Sequence, residues 1–263
     1  GRAFLSVYNR SSPKVPPLAL TLSDFSGAMP PEDARIRERL DLALRNHSKC
    51  CSTAITAATI FPYRNWRMQD HTGKTRKDFF DWYLEKMLPR VKKRDSRNQY
   101  GTYFERMINY QGVIHDRGHD SVTTINQLEQ IIHDWTRERA HPKRPRHSAL
   151  QVAIMDPPKD LTGQSVRGFP CLQQVSFGYD NDGGLSLSAF YPTQYLFDRA
   201  YGNYLGLCQL GAFMAQELDL AFCRFNCFIA HPELGTANKN SLAPLSHVVQ
   251  NVIQEEDANS ATD

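Results

Sequence analysis

Six cysteines and nine histidines, with the carboxylates, are the side chains here that could act as nucleophiles, metal ligands or proton carriers. The cysteines are Cys50, Cys51, Cys171, Cys208, Cys223 and Cys227; none forms a C-x-x-C pair, and adjacent Cys50 and Cys51 cannot easily bridge each other. Cys171 stands apart because it follows Pro170 and opens the partly alternating run CLQQVSFGY. That places its thiol at a loop-to-strand junction, where a sulfur can be held at a pocket floor. A thiolate there is a soft nucleophile able to add to an electron-poor carbon, and a nearby arginine would favour the thiolate. By residue type alone, the plainer reading is a buried, inert cysteine. Gln173 and Gln174 follow it, and strand geometry lets only one of them face the same pocket.

Other constellations carry less. His115 and His119 lie four apart in IHDRGHD, beside Asp116 and Asp120. On a helix they would share a face and could bind a metal. Gly118 and the polar context argue for a loop, and no third ligand is well spaced, so no metal is expected. The basic run Arg137–His147 lacks the interleaved aromatic residues of a base-stacking platform. The formal charge of +3 is too small to argue for nucleic acid by itself. TGKT at 72–75 lacks the full glycine-rich phosphate loop.

The surrounding elements must position Cys171. A chain of 263 residues can bury a sizeable core, and 41% apolar with 22% charged residues suits a folded globular protein. EDARIRERLDLALRNH after Pro30-Pro31 reads as a helix, as does Ile125–Trp135. Thr75–Leu88 reads as a helix closed by Pro89. Ser52–Phe61 is open between a strand and a buried helix. Residues 111–121 read as a polar loop and Ala149–Met155 as a strand. Residues 171–179 and 185–190 read as two strands joined by DNDGG. Asn203–Leu218 reads as a buried central helix, and residues 222–230 as a late strand. The expected architecture is α+β: a mixed sheet packed by helices, with an extended arm over 1–31, a single domain over 32–250 and a flexible acidic tail over 251–263. No signal peptide or membrane span is read, so the expected compartment is the reducing cytoplasm.

An ordered set of segments resembles thymidylate synthase, especially its shorter archaeal-type members. The set comprises Tyr100-Gly101 with Tyr103 and Phe104, INQLEQII from Ile125, FPCLQQVSF from Phe169, Leu185-Ser186, Asn203, Met214-Ala215 and His231. It spans roughly half the chain, from Tyr100 to His231. The resemblance implies a thymidylate synthase-like fold, dimerised by stacking of sheets. It also implies folate-dependent transfer of a methyl or hydroxymethyl group to C5 of a pyrimidine nucleoside or nucleotide, with 5,10-methylenetetrahydrofolate as donor. Cys171 would then be the nucleophile that adds to C6. Asn203 would read C4=O and N3–H, which favours a uracil ring; it reads equally as a cap for the helix after it. His231 would bind a sugar hydroxyl, and Gln173 or Gln174 the ring or phosphate. Glu85 is offered as the general acid/base, with Glu105 as a second candidate. Tyr103 joins the catalytic set and Trp82 the folate site; by residue type, core packing is the plainer use of these two and of Trp66.

The departures from the family are specific. Where an arginine should hold phosphate, the chain has Pro192-Thr193. The paired arginines, given by the partner subunit in the family, fall at Pro145-Arg146, so Arg146 fits and Arg144 could substitute for the missing one. The tyrosine expected after the late histidine falls at Glu233. A monophosphate would have to use Arg144, Arg146, Arg199 or Arg224 in a non-standard manner. A phosphate-free nucleoside or a natural-product precursor fits these losses. So does a catalytically inactive relative that binds a nucleotide or a protein partner.

Overall fold

The computed structural model describes every residue except 11–15, 26–28, 30–31, 48–49, 71, 95–97, 117, 140–143, 162, 164–168 and 261–263. Its strands are β1 (Leu18–Leu22), β2 (Tyr110–Asp116), β3 (His119–Ile125), β4 (Gln151–Ala153), β5 (Gln174–Tyr179), β6 (Gly184–Tyr195) and β7 (Ala221–Glu233). Its α-helices are α1 (Arg2–Tyr8), α2 (Ala34–Arg45), α3 (Thr53–Ile60), α4 (Tyr63–Asp70), α5 (Arg76–Trp82), α6 (Leu88–Arg94), α7 (Tyr103–Ile108), α8 (Gln127–Arg139), α9 (Pro157–Asp160), α10 (Tyr201–Leu218) and α11 (Ala243–Ser260).

Five strands form one mixed sheet in the order β1-β7-β6-β5-β4. β6 and β7 are parallel and the other neighbours antiparallel. A parallel pair needs a long return connection, and α10 supplies it. Side chains alternate across the sheet. Val175, Phe177, Leu185, Leu187, Tyr191, Phe225, Cys227 and Ile229 are buried beneath the helices. The opposite face keeps Ser188, Phe190 and Phe228 exposed. The fold is therefore α+β, a mixed sheet packed by helices. Among the described residues, no helix is long and apolar enough to cross a membrane.

The centre of the helical layer is α10, apolar nearly all round and hence buried. Gly202 and Gly206, one turn apart, let its backbone approach α3: a Cβ on Gly202 would lie 2.8 Å from the Thr53 carbonyl oxygen, and one on Gly206 would lie 2.6 Å from that of Ala57. Phe213 of α10 packs in an aromatic cluster with Phe61, Trp66 and Phe80. Phe104 of α7 joins it through Phe61 and Tyr83. α7 is tethered by a buried ion pair: Arg106 donates to Asp160 at 2.6 and 2.8 Å and to the Ile154 carbonyl at 2.9 Å. The pair is 5% and 2% exposed, dry enough to fix where Tyr103, at the start of α7, can sit.

Several sequence expectations are corrected. Residues 1–31 are not wholly an extended arm, since they contain α1 and the edge strand β1. The acidic tail continues α11 to Ser260 instead of being free. The open choice at Ser52–Phe61 falls to helix, with Ser52 accepting from the Ile55 amide as cap. Residues 111–121 are not a loop: β2 and β3 pair in register across a hairpin, with Gly118 at φ +90° in the turn. Helix continues through Pro89, because a π-helical turn at Tyr83–Met87 loosens the hydrogen-bond ladder just before it and gives the ring room.

Candidate active site

Cys171 lies beside the ends of the two parallel strands. The Gln173 amide donates to the Phe190 carbonyl at 3.0 Å and continues the antiparallel β5–β6 ladder toward Cys171. Thr193 of β6 is in turn paired with His231 of β7, and Tyr195 with Glu233. Strand alternation puts Gln173 on the side of the buried Val175, toward the helices. Gln174 lies on the open face, donating to Gln151 Oε1 at 2.9 Å. Between the two glutamines, Gln173 is thus the one that can share a pocket with Cys171.

After β6 the chain enters a π-helical turn, Leu196–Ala200, that carries Arg199 and runs into α10. This turn is tied to the segment following β7. The Phe197 amide donates to the Leu234 carbonyl at 2.9 Å. The buried Asp198 carboxylate accepts from the Thr236 amide at 3.2 Å and hydroxyl at 2.8 Å. Gly235, at φ +118°, permits the close approach: a Cβ there would be 2.5 Å from Asp198 Oδ1.

These elements set the electrostatics of the thiol. Cys171 keeps an exposed flank, yet its sulfur is desolvated, and burial pushes the thiol pKa above its ordinary value. Arg199 pulls it down and Glu233 pushes it up. Tyr103 is beside it. Burial and the neighbouring thiol raise the Tyr103 phenol, while the amides of Leu172 and Cys171, together with Arg199, draw it down. Tyr103 is therefore a neutral phenol near the sulfur, its oxygen accepting from those amides. Beneath them lies Tyr191, fully buried, its hydroxyl without a hydrogen-bond partner among the described residues. Burial raises its pKa as well, with Tyr103, Cys227, Tyr204 and Cys171 as its titratable neighbours.

No protein-family model matches the sequence, and no curated protein matches it. The site therefore rests on its own geometry.

Not every expected residue joins it. Arg144 donates to the Asp180 carbonyl at 3.1 Å and lies over the rings of Trp135 and Tyr179 at 5.7 and 5.4 Å. Asp180 follows the far end of β5, whose six residues span ~20 Å, so Arg144 does not reach the Cys171 of its own chain. Arg146 precedes the short turn His147–Ala149, which lies along β5 well beyond Cys171. Arg224 pairs with Ser186 at the start of β6, also at the far end. Asn203 is 3% exposed inside α10, four residues past Arg199, and is not the helix cap. Glu85 is exposed on the π-helical turn before α6. Glu105 is bound to Lys92 at 2.8 Å, leaving one buried oxygen without a partner among the described residues. Trp66 is a core residue, and Trp82 is half-buried with its ring stacked on Phe79 at 6.3 Å. The described residues contain no metal-ligand cluster; the side chains of His115 and His119 lie outside the described residues. Sequence reasoning did not give Glu233 or Tyr191 a role at the cysteine. The parallel pairing that joins the end of β6 to the end of β7 is the signal that unites them.

Proposed function

We propose that this chain is a divergent relative of thymidylate synthase, with that family's fold, and that it activates a uracil-type pyrimidine at C5 through Cys171. The observation that carries the reading is Cys171 at the strand ends, with Arg199 acting on its sulfur and Tyr103 beside it. Arg199 lowers the cost of the thiolate in a desolvated place. Addition of Sγ to C6 forms an S–C bond and shifts the C5=C6 pair toward the C4 carbonyl, which leaves C5 nucleophilic. Asn203, an amide with both a donor and an acceptor, suits C4=O and N3–H. After C5 has taken up a one-carbon unit and lost its proton, departure of Sγ restores the double bond. The donor assigned here, 5,10-methylenetetrahydrofolate, would supply that unit as an electrophile. The product would carry a methyl group, with the tetrahydrofolate supplying the hydride and leaving as dihydrofolate, or a hydroxymethyl group, with water supplying the oxygen and tetrahydrofolate leaving.

The uncovered sheet face supports a homodimer by sheet stacking. Phe190 and Phe228 sit side by side there with rings 6.0 Å apart, 37% and 46% exposed. Next to them, Thr21, Asn226 and Ser188 form a polar ladder that spends hydrogen-bonding groups within the face. A second reading, an inactive relative that only binds a nucleotide or a protein partner, draws on the raised thiol pKa and the engagement of Arg144 elsewhere.

Incubation with methylenetetrahydrofolate and 5-tritiated uridine and cytidine compounds, with and without phosphate, separates the two. Tritium release that Cys171→Ser abolishes is expected. A folded protein that releases none from any compound would remove the catalytic reading and leave the binding one.

A further inference from the structure

The π-helical turn Leu196–Ala200 runs into α10 without a break, so turn and helix form one rod, which carries Asn203 near its start. Such turns are uncommon and recur at functional sites. Hydrogen bonds tie the rod to the segment after β7. The Phe197 amide donates to the Leu234 carbonyl at 2.9 Å, and Thr236 donates its amide and hydroxyl to the Asp198 carboxylate at 3.2 and 2.8 Å. Gly235, between the two tied residues, leaves room for the carboxylate to come this close. By contrast, the Tyr201 hydroxyl bonds to Glu32 at 2.7 Å and Glu217 pairs with Arg76 of α5, ties that lead away from the strand ends. Asp198 is 7% exposed, and among the described residues Thr236 is its hydrogen-bond partner and no cation pairs with it. A buried carboxylate without a cation adds little to stability. What it supplies is geometry, because bonds to a charged acceptor are short and strong.

Three elements meet at this point. Asn203 rides on the rod, His231 stands two residues before the end of β7, and Cys171 lies across β6 from it, on the side of β5. A ring and sugar held across all three would be sensitive to the angle at which the rod leaves the sheet. Without the bond to Thr236, the rod could pivot where β6 ends, at Tyr195. A shift of about 1 Å in a bound group can cost on the order of 100-fold in rate. Resting on the reading of Cys171 and Asn203 as groups that hold a pyrimidine, we propose that Asp198 is a positioning residue of that site. Through Thr236 it sets the angle between α10 and the end of β7, and with it the spacing of Asn203 from Cys171 and His231.

The test is calorimetric binding of deoxyuridine and of its 5′-monophosphate to the full chain, to Thr236→Val and to Thr236→Ser, with tritium release measured in parallel. Valine keeps the shape of threonine and removes the hydroxyl that bonds Asp198, whereas serine keeps the hydroxyl. The better-bound ligand is expected to lose roughly tenfold in affinity with Thr236→Val and to stay within about twofold of wild type with Thr236→Ser. Circular dichroism and thermal melts establish that both variants are folded. A role confined to stability would lower the melting temperature of Thr236→Val and leave affinity unchanged, and that result would overturn the proposal. Equal losses in the two variants, or no binding of either ligand to wild type, would overturn it as well. Affinity reports on the bond between Asp198 and Thr236 and tritium release on Cys171, so wild-type binding without release would refute the catalytic reading alone and leave the affinity comparison to decide the role of Asp198.

Discussion

Replacing Gly206 by alanine sets two effects of opposite sign against each other. Alanine is the better helix former by about 1 kcal/mol, so an isolated α10 would gain. In the protein, the new Cβ would lie 2.6 Å from the Ala57 carbonyl oxygen, 2.7 Å from Ile60 Cβ and 3.1 Å from Ala57 Cα. The nearest contact is short by about 0.8 Å of ordinary van der Waals separation. None of the three atoms can rotate aside, since each is backbone or the first carbon off it. α3 and α10 must therefore part, at the upper end of overpacking costs, about 3 kcal/mol. The expected balance is a loss of about 2 kcal/mol. Urea unfolding monitored by circular dichroism reads it directly. With a slope of about 2–3 kcal/mol/M, the midpoint should fall by roughly 0.7–1 M at unchanged slope. A midpoint that stays or rises would show that α3 yields freely and that the close approach does not constrain the helical layer. Because Asn203 and the Arg199 turn ride on the same helix, a destabilised but folded Gly206→Ala should also bind nucleoside less tightly.

Four further outcomes are expected. Asp160→Asn leaves Arg106 uncompensated in a dry site and should cost about 3–5 kcal/mol by urea unfolding. In the wild type, burial pushes the Asp160 carboxyl up, but hydrogen bonds from Arg106 and the Asp156 amide outweigh it and hold its pKa below the ordinary range. The resulting stabilisation is complete above the unfolded pKa, about 3.9, and is lost as pH falls through the lower folded value, so acid should destabilise wild type more steeply than the variant there. The alkylation rate of Cys171, followed by peptide mass spectrometry, should rise with a midpoint above the ~8.5 of a free thiol; Arg199→Leu should move it higher and Glu233→Gln lower, and a midpoint indifferent to both would disconnect them from the sulfur. Tyr191→Phe removes a buried hydroxyl that lacks a partner among the described residues and should raise stability by about 1 kcal/mol, whereas a loss of that size would mean the hydroxyl is satisfied in solution. Phe228→Arg on the open sheet face should convert a dimer to monomer in sedimentation velocity, and an unchanged dimer would place the interface elsewhere.

Legibility followed how loudly each residue speaks through its neighbours. α10 was plain because its apolar run is long, and β5 and β6 because DNDGG supplies the turn between alternating stretches. The β2–β3 hairpin was hidden: His115, Asp116, His119 and Asp120 fill its tip, and polar side chains mask a period of two. Pro89 reads as a terminator by local rules, but the π-helical turn before it absorbs the missing donor. β1 is five residues long, too short to stand out beside the prolines that precede it. Cys171 could be singled out because proline and a strand start frame it. Glu233 could not, since a lone carboxylate carries no periodic signal. It becomes part of a site only when two parallel strands bring the residues after Tyr195 and those after Glu233 together, and that pairing depends on where α10 returns the chain.

The sheet order also governs how this protein must be made. β1 closes one edge by pairing Leu18 with Ile229 and Leu22 with Phe225, so its partner leaves the ribosome only after the roughly 200 residues between them. At about 5–20 residues per second, β1 waits roughly 10–40 s for that partner. Meanwhile the nascent β6 has only β5 beside it, with its other edge unpaired. Each new copy thus passes through a stage in which an open strand edge and the beginnings of a rim around Cys171 are exposed together, and the rim is complete only once β7 has emerged to seal that edge.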